Sequence, residues 1–457
     1  MNYRNKNIVV MGYGLNRHGS GVAASLYLAK QGAKVTITDL RTAEQLAKTL
    51  PLLDSYPVQW QLGYHVETAF KEADLIVKNP GVRRDSSYLQ HGKPILTDIS
   101  LFLEQNRNPL VAVTGSKGKS SVVSALHYAL SKDEPSYLGG NITVSPLSFL
   151  VKLNGSEPVV LELSSWQLGD LLLTNQPKVK AKLAILTNLM PDHQNYYHND
   201  MQAYAEDKAQ IFSGQNKDDY AILNYNDEWT PFFKDKISGR LAYVSLSKPK
   251  DNLDNILYAD GNEWVLNHNG YEERVAKPNP TTAILPINLM IAALALVLYK
   301  GYSLTEALTK LKDFGGVPHR CEFIKEIKGV KYYNDSAATI PQATLASAGN
   351  FEAAKLHLIL GGSDKELDFT SLMPLLKEVK GLYLLAGNAT DKLILLLNKS
   401  GLSYNVFNNM AAAVMAARGA AISGDSVLLS PAATSFGMFA NEFARGEAFV
   451  EAMEGIN

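Results

Sequence analysis

Among 457 residues there is one cysteine, Cys321. A disulfide framework is excluded, and the composition fits a reducing compartment. Cys321 is read as a structural thiol rather than a nucleophile. Neither sign of charge dominates, since 44 Lys and Arg face 45 Asp and Glu. That balance lacks the footprint of a nucleic-acid or membrane partner, and neither is expected. Long apolar runs are missing too. The longest, residues 289–299, is too short to span a bilayer and reads as a buried helix. The run at 8–11 is too short for a signal peptide, so the expected location is the cytoplasm. Low-complexity tracts and short-period repeats are absent.

What remains is a globular composition, 46% apolar and 19% charged. The length asks for about two to four domains. The chain is organised around residues 110–126. Residues 110–113 read as a buried strand and 114–119 as a small-residue turn. From Ser120 the apolar Val122, Val123, Leu126, Ala129 and Leu130 repeat at helical spacing. Strand, glycine turn and helix make a phosphate cradle of backbone N–H groups at the positive end of a helix. Gly115, Ser116, Lys117, Gly118 and Ser121 would line it. Lys119 would reach the β/γ-phosphates, and the Ser120 hydroxyl would sit on Mg²⁺. Only two residues, not four, separate Gly115 from Gly118-Lys119, so the loop is a shortened form of the general pattern.

On the N-terminal side, the strand at 8–11 enters a glycine turn ending at Gly14, and residues 22–30 read as a helix. A second strand, 34–39, ends in Asp39. This opens a Rossmann-like βαβ unit. Arg17 stands where the dinucleotide fingerprint wants its third glycine, so a phosphate-bearing nucleotide fits better than NAD. Strands at 74–78 and 94–97 run into Asn79-Pro80-Gly81 and Asp98. A domain boundary is expected at 106–109.

On the C-terminal side, residues 158–165 place one carboxylate, Glu162, inside an apolar strand. Such a charge needs a partner, either Mg²⁺ or a Lys or Arg elsewhere. The strand at 181–188 leads to Asp192-His193, in a position suited to a metal or substrate. In the helix at 200–212, Lys208 shares the apolar stripe of Met201, Tyr204, Ala205, Ile211 and Phe212. It either snorkels to solvent or is a working lysine with altered chemistry. Helices at 287–298 and 304–311 close the region, and 314–320 reads as a hinge loop. Beyond it four strands, 331–335, 356–360, 382–385 and 426–429, end in polar or small residues and make a third α/β domain.

Several motifs stand in a fixed order: Gly-Ser-Lys-Gly-Lys-Ser-Ser (115–121), Leu-Glu-Leu-Ser-Ser-Trp-Gln-Leu (161–168), Asp192-His193 and Lys208. Gly-Val-Pro-His-Arg (316–320), Asn-Asp-Ser (334–336) and Leu-Ser-Pro (429–431) follow. Together they resemble the Mur ligases, and more narrowly the MurD type, over nearly the whole chain. The resemblance implies three α/β domains: a Rossmann-like UDP-sugar domain at 1–108, a P-loop ATPase domain at 109–314 and a Rossmann-like domain at 315–457. It implies an ATP-dependent amide ligase that activates the carboxylate of UDP-MurNAc-L-Ala as an acyl phosphate and adds D-glutamate. L-glutamate is the alternative. A folylpolyglutamate-type ligase and a nucleotide-dependent oxidoreductase are more distant ones. A monomer is expected.

The resemblance also assigns residues. Lys119, His193 and Lys208 would be catalytic. Ser120, Glu162, His193 and a carbamylated Lys208 would hold two Mg²⁺. Asn288, Arg320 and Asp335 would join the loop on ATP. Gly14, Leu15, Asn16, Asp39, Arg41, Asn79, Gly81 and Asn141 would hold the UDP-sugar, and Lys365, Ser435 and Phe436 the glutamate. Three positions depart from the family pattern: Ala337 stands for a lysine that helps hold glutamate, Glu442 for an aromatic, and Ile291 for the second adenine-side asparagine.

Overall fold

The computed structural model describes residues 2–142, 144–173, 177–279, 284–364 and 367–454. Short apolar runs ending in small or polar residues become the strands of three sheets. The first sheet is wholly parallel. It contains β1 (Asn7–Met11), β2 (Lys34–Asp39), β3 (Gln59–Leu62), β4 (Leu75–Lys78) and β5 (Ile95–Leu96), in the order β3-β2-β1-β4-β5. The order reverses at β1, so the loops after β1 and β4 splay apart and leave a crevice at their carboxyl ends.

The second sheet is built on β6 (Leu110–Thr114), β7 (Tyr137–Gly140), β8 (Val159–Glu162), β9 (Leu183–Leu186) and β10 (Tyr220–Asn224). It continues through β11 (Arg240–Ser245), β12 (Ile256–Asp260), β13 (Glu263–His268) and β14 (Tyr271–Ala276). The order is β14-β13-β12-β11-β10-β9-β6-β8-β7, parallel except for the hairpins that join β12 to β13 and β13 to β14. Every residue of β6, β8 and β9 is buried, as central parallel strands covered on both faces require. The apolar run at 289–299 lies in the helix Pro286–Lys300, whose residues 290–297 are all buried.

The third sheet holds β15 (Glu322–Ile327), β16 (Val330–Asn334), β17 (Leu356–Gly361), β18 (Gly381–Leu385), β19 (Asn405–Phe407) and β20 (Ser426–Leu429), in the order β15-β16-β20-β17-β18-β19. Only β15 and β16 are antiparallel.

Two compact units result. One is built from the chain up to Pro278 together with Pro286–Lys312; the other from the chain from Asp313 onward, with Asn279, Ile284 and Leu285. The first two sheets share a unit because one hydrophobic core runs through both. Phe102 packs edge-on to Phe149 at 6.1 Å, and the Ser145 hydroxyl donates to Asp98 at 2.6 Å. Among the described residues no single helix is long and apolar enough to cross a membrane.

Candidate active site

β6 delivers the chain into the glycine turn, and the helix Lys119–Leu130 leaves it. Two glycines are obligatory there. Gly115 has φ +145°, and a Cβ would lie 1.9 Å from Thr187 Oγ1. Gly118 has φ +87°, and a Cβ would lie 2.5 Å from Asn288 Oδ1. The turn is pinned to the segment after β9. Ser116 N donates to Asn188 O and Lys117 N to Asn188 Oδ1, both at 2.9 Å, and Thr187 Oγ1 donates to Lys117 O. Asn288, buried at the start of its helix, is thus packed on the loop. Lys119 Nζ folds back on the Gly115 and Ser116 carbonyls at 2.9 and 3.2 Å.

The parallel pairing of β6 with β8 sets Glu162 opposite Val113, at the mouth of this loop. Glu162 is 2% exposed. Its Oε2 accepts from Ser120 Oγ at 2.6 Å and its Oε1 from Asn141 Nδ2 at 2.9 Å. No Lys or Arg lies within ion-pair distance of it among the described residues, which leaves unfilled the alternative of a protein cation. Ser120, Asn141 and Glu162, far apart in sequence, meet at one point.

Lys208 is 1% exposed on the helix Met201–Ala209, so it does not snorkel. Its Nζ donates to Gly115 O at 2.9 Å and lies 4.6 Å from the Tyr204 ring centroid. Burial, reinforced by the Lys119 charge, holds the amine well below the usual lysine range. A buried ammonium without a carboxylate contact is costly, and neutralising it is the cheaper solution. His193 adopts φ +52° and tilts against Trp166, with ring centroids 4.9 Å apart. Desolvation, helped by Lys208, Lys119 and Lys117 and opposed by Asp192, holds its imidazole below the ordinary value. Among the described residues no group of three His, Cys, Asp or Glu side chains forms a preformed metal cage.

The first sheet brings the expected UDP-side residues together. Gly14, Asp39, Arg41, Asn79 and Gly81 line a cavity of about 500 Å³. Asp39 Oδ2 accepts from Tyr13 N and Gly14 N at 2.8 and 3.1 Å, and Arg41 pairs with the same carboxylate. Asp39 therefore shapes the glycine turn as well as lining the cavity. A second cavity, of about 290 Å³, shares Gly14, Asn79 and Gly81 with the first and is also lined by Leu15, Asn16, Asn141, Trp166 and Gln167.

In the other unit, Asp335 is 4% exposed at the end of β16. It accepts from Cys321 N at 3.0 Å and Ser430 Oγ at 2.6 Å. Burial pushes its carboxyl up to about 6, against these hydrogen bonds and the nearby Arg320 charge. Between pH about 4 and 6 the folded chain therefore holds a proton that the unfolded chain has released, and stability falls as pH rises through that window by about 2–3 kcal/mol. Asp335→Asn still accepts from Cys321 N through its Oδ1, can donate from its Nδ2 to the Ser430 hydroxyl oxygen, and does not titrate. Thermal melts should show its advantage over the parent growing from pH 4.5 to 7.5; a gap that does not change with pH would refute the assignment. Ser435 is buried and Phe436 exposed in the loop after β20. Lys365 lies outside the described residues.

This arrangement can be set beside known proteins. The chain is 41% identical to the UDP-N-acetylmuramoylalanine–D-glutamate ligase of Borreliella afzelii, over 98% of this chain and 97% of that one. The chain belongs to the Mur ligase family. Its models match in sequence: the Mur ligase MurD-like N-terminal domain at 6–96, the Mur ligase middle domain at 113–294 and the Mur ligase glutamate ligase domain at 319–433. The like-named ligase of Treponema pallidum is 34% identical over 97% of this chain and 96% of its own. The crystal structure of UDP-N-acetylmuramate-alanine ligase MurC from Thermotoga maritima aligns with 99% of this chain and 100% of its own. Its TM-score is 0.60 at 19% identity, which speaks for the fold alone.

Several residues of this Mur ligase escape a reading of its sequence. Arg445 is 1% exposed, and its guanidinium donates to Ser336 Oγ, Ser336 O and Ala433 O. Among the described residues it has no carboxylate within ion-pair distance. It is a buried cation beside the Asn-Asp-Ser motif and Ala337. Burial lowers it to about 10. Lys78 and Asp170 form a buried ion pair within the other unit, and Arg84 and Asp207 a half-buried one. A lone charge in an otherwise unremarkable segment signals nothing until its partner, about 90 or more residues away, is brought beside it.

Proposed function

We infer that this Mur ligase joins the amine of D-glutamate to the alanine carboxylate of UDP-N-acetylmuramoyl-L-alanine, with cleavage of ATP to ADP and phosphate, in peptidoglycan precursor synthesis. The observation that carries the reading is end-to-end identity of 34–41% with ligases named for that reaction. The MurD-like N-terminal match disfavours a folate-linked ligase or an oxidoreductase built on the first sheet. L-glutamate remains the rival substrate, and the names of the relatives favour the D form.

In the reading we adopt, the 1–108 segment holds the UDP-sugar through Gly14, Leu15, Asn16, Asp39, Arg41, Asn79 and Gly81, with Asn141 at the reacting end. Residues 115–121 cradle the ATP phosphates, and Asn288 packs on that loop. In the second unit we assign Arg320 and Asp335 to ATP, and Ser435, Phe436 and Lys365 to glutamate. Arg445 supplies positive potential where Ala337 has removed it.

Phosphoryl transfer to a carboxylate asks the protein for positioning and for positive charge on the phosphate oxygens. A carboxylate oxygen attacks the γ-phosphorus in line and ADP leaves. The glutamate amine then attacks the acyl carbon of the mixed anhydride, a tetrahedral intermediate collapses, and phosphate departs as the amide forms. Lys119 can leave the Gly115 and Ser116 carbonyls for the phosphates, which are better acceptors. The residues fit Mg²⁺: Glu162 is an anionic oxygen donor without a protein cation, the Ser120 hydroxyl is beside it, and Mg²⁺ keeps waters and phosphate oxygens rather than needing a full protein cage. Ser120 and Glu162 would hold one ion. His193 and Lys208 would hold a second, Lys208 as the carbamate its neutral amine forms with CO₂. Mg²⁺ held by these residues would supply positive charge to the transferring group. The reaction is placed in the cytoplasm, with the enzyme acting as a monomer.

The test is phosphate release from ATP, Mg²⁺ and UDP-MurNAc-L-Ala with D-glutamate and L-glutamate in parallel. Release with the D form is expected. Release with neither would sink the reading, and release with L alone would reverse the stereochemistry.

A further inference from the structure

Two ion pairs, one fully buried and one with its arginine a quarter exposed, tie β4 and the loop after it to the helix that follows Glu162 and to the helix that carries Lys208, and the reaction described above uses neither. Lys78, the last residue of β4, is 1% exposed and pairs with Asp170 at the end of the helix Ser165–Asp170. Six positions on, Arg84 grips Asp207 with both terminal nitrogens, donates to Gly169 O at 3.1 Å and donates from Nε to the Tyr196 hydroxyl at 3.0 Å. Asp207 precedes Lys208 on the same helix and also accepts from the Tyr197 hydroxyl at 2.8 Å. The Tyr196 ring lies 5.0 Å from Trp166, and Trp166 lies 4.9 Å from His193. Between Lys78 and Arg84 stand Asn79 and Gly81, which line the cavity beside the glycine turn.

Lys78, Asp170 and Asp207 are almost wholly out of water, and charges so placed are weak stabilisers, because desolvation cancels most of the attraction to the partner. An apolar pair of similar volume does as well or better. Four charges at one junction therefore call for a positional reason. The geometry points to Arg84 as a positioning residue of the ligation: by gripping Asp207 and Tyr196 together it holds Lys208 and His193 in register with the loop of Asn79 and Gly81. One rigid connection then ties the site of the substrate's diphosphate to the groups around its reacting carboxylate. The inference rests on the ligase reading and on the UDP-sugar assignment of that loop.

The experiment compares wild type, Arg84→Lys, Arg84→Met and the double variant Arg84→Met/Asp207→Leu, by phosphate release at saturating substrates and by thermal melting. Arg84→Met should lower kcat about 100-fold, the order of loss that roughly a 1 Å misplacement causes, with KM for ATP changed less than about threefold. Arg84→Lys should recover part of the rate. The double variant should melt at or above the wild type and yet stay slow, because methionine cannot hold Tyr196. Wild-type speed in Arg84→Met would overturn the proposal, as would recovery of kcat together with stability in the double variant. If Arg84→Met does not fold, the other two variants decide by the same criteria. A wild type that releases no phosphate would instead refute the reaction.

Discussion

Lys119→Ala should abolish turnover and leave the fold intact. The side chain is partly buried at the start of the phosphate-loop helix, and its ammonium rests on two loop carbonyls rather than in a core. Losing those contacts should cost little, about 1 kcal/mol, because Gly115 O keeps its hydrogen bond from Lys208 Nζ. The effect on the reaction is of another size. Charge spreads over the transferring phosphoryl oxygens, and one preorganised cation there is worth about 10³-fold or more in kcat. The measurement pairs phosphate release with a melting curve. Lost activity with an unchanged melting temperature is the expected outcome. Retained activity would mean that the loop does not hold the triphosphate.

Lys208→Met should be as damaging to the reaction and harmless, or even favourable, to stability. Methionine has nearly the length of the lysine stem and carries no charge into a site that is 1% exposed. Replacing a buried amine, whose charged form burial already disfavours, with an apolar side chain removes a polar group from the interior. A loss of kcat of about 10²–10³-fold is expected, the order seen when one electrostatic group is removed from a water-poor site. Native mass measurement in bicarbonate separates the possible roles. The wild type should gain the mass of one CO₂ and the variant should not. An active wild type that never gains it would remove the carbamate from the mechanism and leave Lys208 as a plain amine on Gly115 O.

Most parallel strands were legible because a strand buried on both faces has to be written as an unbroken apolar run. β6, β8 and β20 are such runs. β14 was not, since it reads Tyr-Glu-Glu-Arg-Val-Ala with exposed and half-buried positions alternating. β19 is three residues long at a sheet edge. β10, β11, β12 and β13 also went unread: each run is short, and its partner strand, not its own composition, decides its state. The phosphate loop was legible in full, because strand, glycines and helix are contiguous and each residue type follows from a local demand on the backbone.

The sequence by itself determined the chemistry on offer: a loop for phosphates, a carboxylate too apolar in its setting to stand alone, and a lysine on the wrong face of a helix. Local rules suffice for these, because backbone geometry and burial leave marks within a few residues. Only the tertiary structure decided which groups meet. Glu162 finds Ser120 and Asn141 instead of a lysine or arginine, Lys208 turns its amine onto Gly115, and Arg84 reaches Asp207 across 123 positions. The reason is that electrostatic and hydrogen-bond energies fall away within a few ångströms, and separation along the chain carries no information about that distance until the sheets have formed.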